Sequence, residues 1–272
     1  MTIRTLYGAL CAVVLFLLVV PVFVIVPLSF SSASFLQFPP PSLSLRWYRE
    51  YFGRADWMHA TLLSLEVAAA VALVATPLGT LAAFGFVRGA VRRRQLLQAF
   101  VVSPMIVPVI VIATALYFTF AKLRLVGSIW GLIAAHSVLA IPKVFLVITA
   151  TLRGIDPAYE RAALSLGASR FWAFVLVTLP LVRTGVAVAA GLAFLTSFDE
   201  VVVAIFISGS TAVTLPKRMW DGIRLEYDPT ITAVSSLLIA LTIVGVILLG
   251  RPGITRQTGE GAAAGKPRVS DT

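Results

Sequence analysis

Apolar residues in this chain are gathered into long runs, and the polar positions fall between them. The runs predict six membrane-crossing helices at about 6–30, 58–87, 96–120, 128–151, 182–207 and 230–250, each near the ~20 residues needed to cross a hydrocarbon core of ~30 Å. Pro104 and Pro108 are expected to bend the third span. The first run is longer than the core of a signal peptide, and Ser32-Ala33-Ser34 is a poor cleavage site, so it reads as a retained anchor. In the polar-aromatic stretch 31–57, Pro39-Pro40-Pro41 stiffens the chain. Residues 43–52, with Trp47, Tyr48 and Tyr51, are expected to form a helix lying along the membrane interface.

One stretch breaks the pattern. Residues 156–167 read Asp-Pro-Ala-Tyr-Glu-Arg-Ala-Ala-Leu-Ser-Leu-Gly, a short polar helix rich in small residues. Asp156 suits its cap, Pro157 its first position and Gly167 its left-handed close. Ser169 then caps a second short helix containing Phe171, Trp172 and Phe174, which Pro180 is expected to interrupt. Ten residues of helix are only ~15 Å long, so the 156–180 segment is a knob outside the bilayer rather than a span.

Composition settles the class. Of 272 residues 59% are hydrophobic and only 12% charged, with a mean hydropathy of +0.96. A soluble domain carries about 25% charged residues. A formal charge of +10 would suggest nucleic acid in a soluble protein; here basic loops at a membrane surface explain it, and no nucleic-acid partner is expected. Cys11 is the single cysteine, so intrachain disulfides and cysteine metal sites are excluded. Arg88, Arg92, Arg93 and Arg94 occupy the loop at 88–94 without an acid, which places it in the cytoplasm. Six spans then put the knob and both termini inside. The tail 251–272 is rich in Gly, Ala and charge and is expected to be disordered.

The knob resembles the EAA motif of ABC-transporter permeases, the membrane subunits of importers driven by a separate ATPase. That pattern runs E-A-A, three residues, G, nine residues, I-x-L-P. With Gly167 in the glycine slot, Arg161, Ala162 and Ala163 fill the first three and Val177-Thr178-Leu179-Pro180 the last. The departure is Arg161 in the acidic slot, with Glu160 one residue earlier, about 100° around the helix. A second resemblance, to the polyamine (spermidine/putrescine) branch of these permeases, rests on residues 196–201, Phe206-Ile207-Ser208-Gly209, Thr214-Leu215-Pro216 and Met219. Residues 42–48 and 64–68 agree more loosely, and Leu63 stands where that branch usually has asparagine.

The resemblance implies an all-α polytopic transmembrane domain over 1–250, with six helices and a coupling-helix pair between the fourth and fifth. It implies a second permease chain, two copies of a cytoplasmic ATP-binding subunit and a periplasmic solute-binding protein, in a bacterial inner membrane. ATP and Mg would belong to the ATPase, with no cofactor on this chain. Glu160, Arg161, Ala162, Ala163 and Gly167 would couple to the ATPase. Related permeases also carry opines and amino-acid derivatives such as 4-aminobutyrate.

Acids in apolar runs cost about 2.5–3.5 kcal/mol to insert, so they face a partner, a cavity or a pathway. Asp199 and Glu200, beside Phe198, suit an organic cation through carboxylates and a ring face; a structural acid pair is the alternative. Glu66 in the second span has the same ambiguity. His136 reads as a packed, hydrogen-bonded histidine, and Lys143 and Arg183 as cations reaching toward headgroups. Gly261-Ala262-Ala263-Ala264-Gly265-Lys266 fails as a phosphate loop: one residue is missing between the glycines, and Pro267 replaces Ser or Thr. An intramembrane enzyme using Asp199, Glu200 and His136 has no use for the knob. An ion-driven carrier usually carries internal repeats, which the chain lacks.

Overall fold

The structure, a computed structural model, describes residues 3–89 and 93–249. Arg92 and the 251–272 tail of the sequence reading lie outside the described residues. The chain divides into two units, 1–51 with 228–272, and 52–227.

In the first unit, α1 (Ile3–Ser29) packs against α12 (Thr230–Leu249). A short amphipathic helix, α2 (Arg46–Gly53), lies where the interface helix is expected. Trp47 and Tyr51 are buried, and the Tyr48 hydroxyl shares a 2.7 Å hydrogen bond with Ser29 Oγ. Asp228 caps α12 by accepting the Thr230 N–H at 2.9 Å.

The second unit is built on three packed helices, α3 (Ala55–Arg88), α6 (Ile129–Arg153) and α9 (Leu179–Phe198). Their shared core contains Val67, Val71 and Ala75 of α3, Val144, Phe145 and Ile148 of α6, and Val182, Ala189 and Ala193 of α9. Small residues bring the backbones close, as expected where lipid supplies no hydrophobic driving force between helices. A Cβ on Gly79 would lie 2.6 Å from Val144 Cγ1, and one on Gly185 would collide with Thr151.

Among the described helices, α1, α3, α6 and a continuous rod from Arg170 to Phe198 are long and apolar enough to cross a bilayer; α12 is a shorter apolar helix. The third expected span is not one rod. It is two helices, α4 (Arg94–Ile106) and α5 (Val109–Lys122), meeting at 100°. Pro104 is accommodated inside α4, whereas Pro108 caps α5 and forces Val107 into an extended conformation.

Two other boundaries differ from the sequence reading. Pro180 does not interrupt the second short helix. Between α8 (Arg170–Ala173) and α9 lies a π-turn, Phe174–Thr178, in which the Leu179 N–H reaches back five residues to Phe174 O. That wider turn absorbs the proline ring, which would otherwise clash with a carbonyl one turn earlier. The fifth expected span, 182–207, stops at Phe198, and a separate helix, α10 (Val202–Ile207), packs against α5 and α6. Beyond it, α11 (Leu215–Asp221) docks on the start of α3. Leu215 N donates to Ser64 Oγ at 2.7 Å, and Arg218 Nε donates to Asp56 at 3.0 Å while its guanidinium lies over the buried Trp57 ring at 4.8 Å.

Candidate coupling surface and polar helix break

Between α6 and α8 the chain makes one short helix, α7 (Ala158–Ser165). Its ends form as the sequence dictates. Asp156 Oδ1 accepts the Ala158 N–H at 2.8 Å. At the other end Gly167 has φ +91°, its N–H reaches Leu164 O, and the Ala168 N–H reaches Ala163 O. Those are the paired bonds of a Schellman closure, which needs a left-handed residue at this position. Ser169 Oγ then accepts the Trp172 N–H and starts the next helix.

Glu160 and Arg161 point to different surroundings, as one residue's rotation requires. The Glu160 carboxylate turns inward: Oε1 accepts Arg88 Nε at 3.0 Å and the Thr178 hydroxyl at 3.0 Å. Its side chain is 15% exposed and that of Arg88 is 13%. Arg88 Nη2 also donates to Leu152 O at 3.3 Å and Ile155 O at 2.8 Å. One guanidinium at the end of α3 therefore binds the end of α6, the turn after it and α7, while Thr178 adds the π-turn. A cavity of ≈ 330 Å³ adjoins this knot, lined by Phe84, Arg88, Glu160, Leu164, Arg170 and Phe174 among others. Arg161 and Ala162 are exposed and Ala163 is half-buried. Tyr159, Leu164, Leu166, Phe171 and Trp172 are exposed around them, the kind of apolar cluster that marks a protein or membrane contact.

Of the other candidate residues, Asp199 and Glu200 sit at a helix break rather than inside a span. Asp199 follows the last residue of α9, and residues 199–201 lie outside any helix. Its side chain is exposed and makes no hydrogen bond or ion pair with any described residue. Glu200 is structural in part, since one carboxylate oxygen accepts the Val203 N–H at 3.0 Å and caps α10. Phe198 stacks on Phe194, ring centroids 5.8 Å apart. Glu66 lies exposed on α3, and its side chain makes no hydrogen bond or ion pair with any described residue.

Two polar contacts tie the end of α9 to α6, between partners that the sequence alone does not pair. His136, buried in α6, shares a 2.9 Å hydrogen bond between Nδ1 and Ser197 Oγ, as a packed histidine should. Lys143 does not reach for headgroups: its Nζ donates to Thr196 Oγ1 at 2.9 Å, and no described carboxylate pairs with it. The sequence signal was present in both cases, because a titratable side chain in an apolar run needs a partner.

Comparison with known proteins gives the arrangement a lineage. Residues 75–251 match the family described as binding-protein-dependent transport system inner membrane component. The chain is 34% identical over 215 residues, 75% of each sequence, to the putrescine transport system permease protein PotI of Escherichia coli K12. It is 28% identical over 260 residues to the spermidine/putrescine transport system permease protein PotC of the same strain, covering 94% of this chain and 98% of that one. Among solved structures, a bacterial ABC transporter that imports the acidic polysaccharide alginate superposes with a TM-score of 0.73 at 12% identity, over 91% of this chain and 95% of that one. At that identity the likeness concerns the fold. A match across well over half of the sequence, at a family level that comprises transport components and not enzymes, makes this chain a member of the binding-protein-dependent transport system inner membrane component family, the permease subunits of ABC importers.

Proposed function

We propose that this chain is one of two membrane subunits of an ATP-driven importer of polyamines, spermidine or putrescine. The cargo follows the curated relatives, whose names specify putrescine and spermidine. The observation that carries the coupling half of the reading is α7: a short helix held by Arg88 to the ends of two long helices and presenting Ala162, Ala163 and exposed apolar side chains outward. Its partner is a cytoplasmic ATP-binding subunit, present in two copies, which holds ATP and Mg. The second permease chain and the periplasmic solute-binding protein complete the assembly. The basic loop around Arg88, Arg93 and Arg94 supports a cytoplasmic placement for α7 and both termini.

Glu160, Ala162, Ala163 and Gly167 set the shape of the handle, and Arg161 faces the ATPase. ATPase closure moves α7, and Arg88 passes the displacement to α3 and α6. Asp199, beside Phe198 at the α9 break, offers a carboxylate and a ring face to an organic ammonium. Glu200 contributes its charge from a capped position, and Glu66 adds a third carboxylate on α3. Breaks in membrane helices expose backbone groups where they line a cavity, which fits such a path.

A second reading within the same class comes from Lys143. A cation near the middle of α6 whose one polar partner among the described residues is a threonine hydroxyl suits a cargo that carries a carboxylate, such as 4-aminobutyrate or an opine. Uptake of labelled putrescine, spermidine and 4-aminobutyrate by the reconstituted transporter separates the two. The polyamine reading expects competition among the amines alone. Ala163→Trp or Gly167→Pro is expected to abolish ATP-driven uptake with insertion intact; full uptake by either variant overturns the coupling assignment.

A further inference from the structure

The EAA-like pattern places an arginine where an acid is the rule, and the structure shows that the neighbouring acid does not take over the vacated role. Glu160 is turned inward, its Oε1 accepting both Arg88 and Thr178, with only 15% of its side chain exposed. A carboxylate so engaged cannot reach a protein docking from outside without first abandoning Arg88. Arg161, by contrast, is exposed and its side chain makes no hydrogen bond, ion pair or ring contact with any described residue.

The rest of the surface has the same sign. Arg170 is exposed and equally free, and Arg153 is exposed with its guanidinium 5.9 Å from the Phe86 ring. Against these three arginines the segment 153–170 offers one exposed acid, Asp156, which already caps α7. Between the charges stand the exposed rings and aliphatic chains of Tyr159, Leu166, Phe171 and Trp172. Arginine and aromatics together, with lysine absent from the segment, match the composition of interface hot spots. Arginine's planar fork also favours a carboxylate partner over a point charge.

We infer that the coupling surface is a basic plug whose Arg161 docks on a carboxylate of the ATP-binding subunit, so that the complementary cleft on that ATPase has an acidic rim around an apolar floor. The inference rests on the coupling reading above and adds its polarity. Charge complementarity fixes register and partner choice, and a like-charged pair at such a contact is strongly disfavoured. An ATPase with a basic rim would therefore be rejected by this permease, even where its apolar floor fits.

The test uses the whole transporter, purified in detergent through a tag on this chain, with retention of its own ATP-binding subunit as the readout. Wild type, Arg161→Lys, Arg161→Glu and Ala163→Trp are compared at low and high NaCl. Retention of the ATPase is expected to fall at least tenfold in Arg161→Glu at low salt and to be largely kept in Arg161→Lys. High salt is expected to weaken the wild type and to raise retention in Arg161→Glu toward it, because screening removes attraction and repulsion alike. Replacing the facing ATPase acid with Lys is expected to restore the Arg161→Glu complex. Retention in Arg161→Glu equal to or above wild type overturns the acidic-rim inference, and if Ala163→Trp still dissociates the complex the coupling reading survives that failure. Should Ala163→Trp also keep its ATPase and its uptake, the coupling reading itself is wrong. Amide exchange in α7 of the membrane chains stripped of the ATPase, unchanged between wild type and Arg161→Glu, separates lost docking from lost folding.

Discussion

On the coupling reading, the contact between Arg88 and Glu160 decides whether α7 moves with the membrane helices or swings free of them. Replacing Glu160 with Ala removes an acceptor used by two donors, Arg88 Nε and Thr178 Oγ1, each at 3.0 Å. Breaking a fully buried ion pair costs about 3–5 kcal/mol, and an exposed pair is worth about 0–1 kcal/mol. The two side chains are 13% and 15% exposed, which argues for the buried side of that range. Arg88 nevertheless keeps two carbonyls, Leu152 O and Ile155 O, so its charge is not left without acceptors. A cost of about 2 kcal/mol to the docking of α7 follows, near the ~1.5–3 kcal/mol typical of hydrogen bonds to charged groups. At ~1.4 kcal/mol per tenfold, that is roughly a 30-fold rise in the open population of α7.

Amide exchange on the transporter in lipid nanodiscs reads this directly. Amides of α7 are expected to lose protection by about that factor in Glu160→Ala, while the buried stretch of α6 stays unchanged. Glu160→Gln keeps a neutral acceptor and is expected to lose about half as much in free energy. Because Arg88→Met removes the same pair from the other side, a double-mutant cycle should show strong non-additivity. Unchanged α7 exchange in Glu160→Ala, or additive single effects, would refute the claim that this pair carries movement between the handle and α3.

Other substitutions probe the remaining parts. Gly79→Val drives a branched side chain into Val144, whose Cγ1 would lie 2.6 Å from the new Cβ; overpacking of this kind costs about 1–3 kcal/mol, to be read as a lowered melting temperature in detergent. Asp199→Asn removes the unpaired charge at the α9 break and is expected to lower uptake of a diamine at least several-fold without altering expression. Equal uptake by wild type and Asp199→Asn would remove that residue from the path. Arg218→Met strips Asp56 and Trp57 of their shared partner and is expected to loosen α11, detected as faster proteolysis of the 208–222 region.

The sequence made the handle legible because its signals are local. Asp156, Gly167 and Ser169 each cap or close a helix through bonds within five residues, and those bonds are present. What hydropathy could not supply was direction. Residues 96–120 are predominantly apolar, yet a 100° bend at Pro108 makes them two helices, because apolar length says nothing about the angle at a break. Pro180 misled for the opposite reason: a proline stops an α-helix, but a preceding π-turn moves aside the carbonyl that its ring would clash with. Glu160 was visible as an acid out of register, while its partner Arg88 lies 72 residues away, and only packing of α3 against α6 brings the two together. Asp199 and Glu200 were read as one acid pair; capping of Val203 N by Glu200 splits them into a structural and a free carboxylate.

The central claim is that the membrane helices of this chain are driven from outside through α7. The most direct measurement is uptake of labelled putrescine into proteoliposomes holding this chain and its partner permease, with the ATP-binding subunit and ATP added or withheld on the inner face and the binding protein supplied outside. Uptake is expected only with ATPase and ATP together, and to persist when ionophores collapse the ion gradients. Transport by the membrane chains alone, or transport that vanishes with the gradient while ATP is plentiful, would contradict the account.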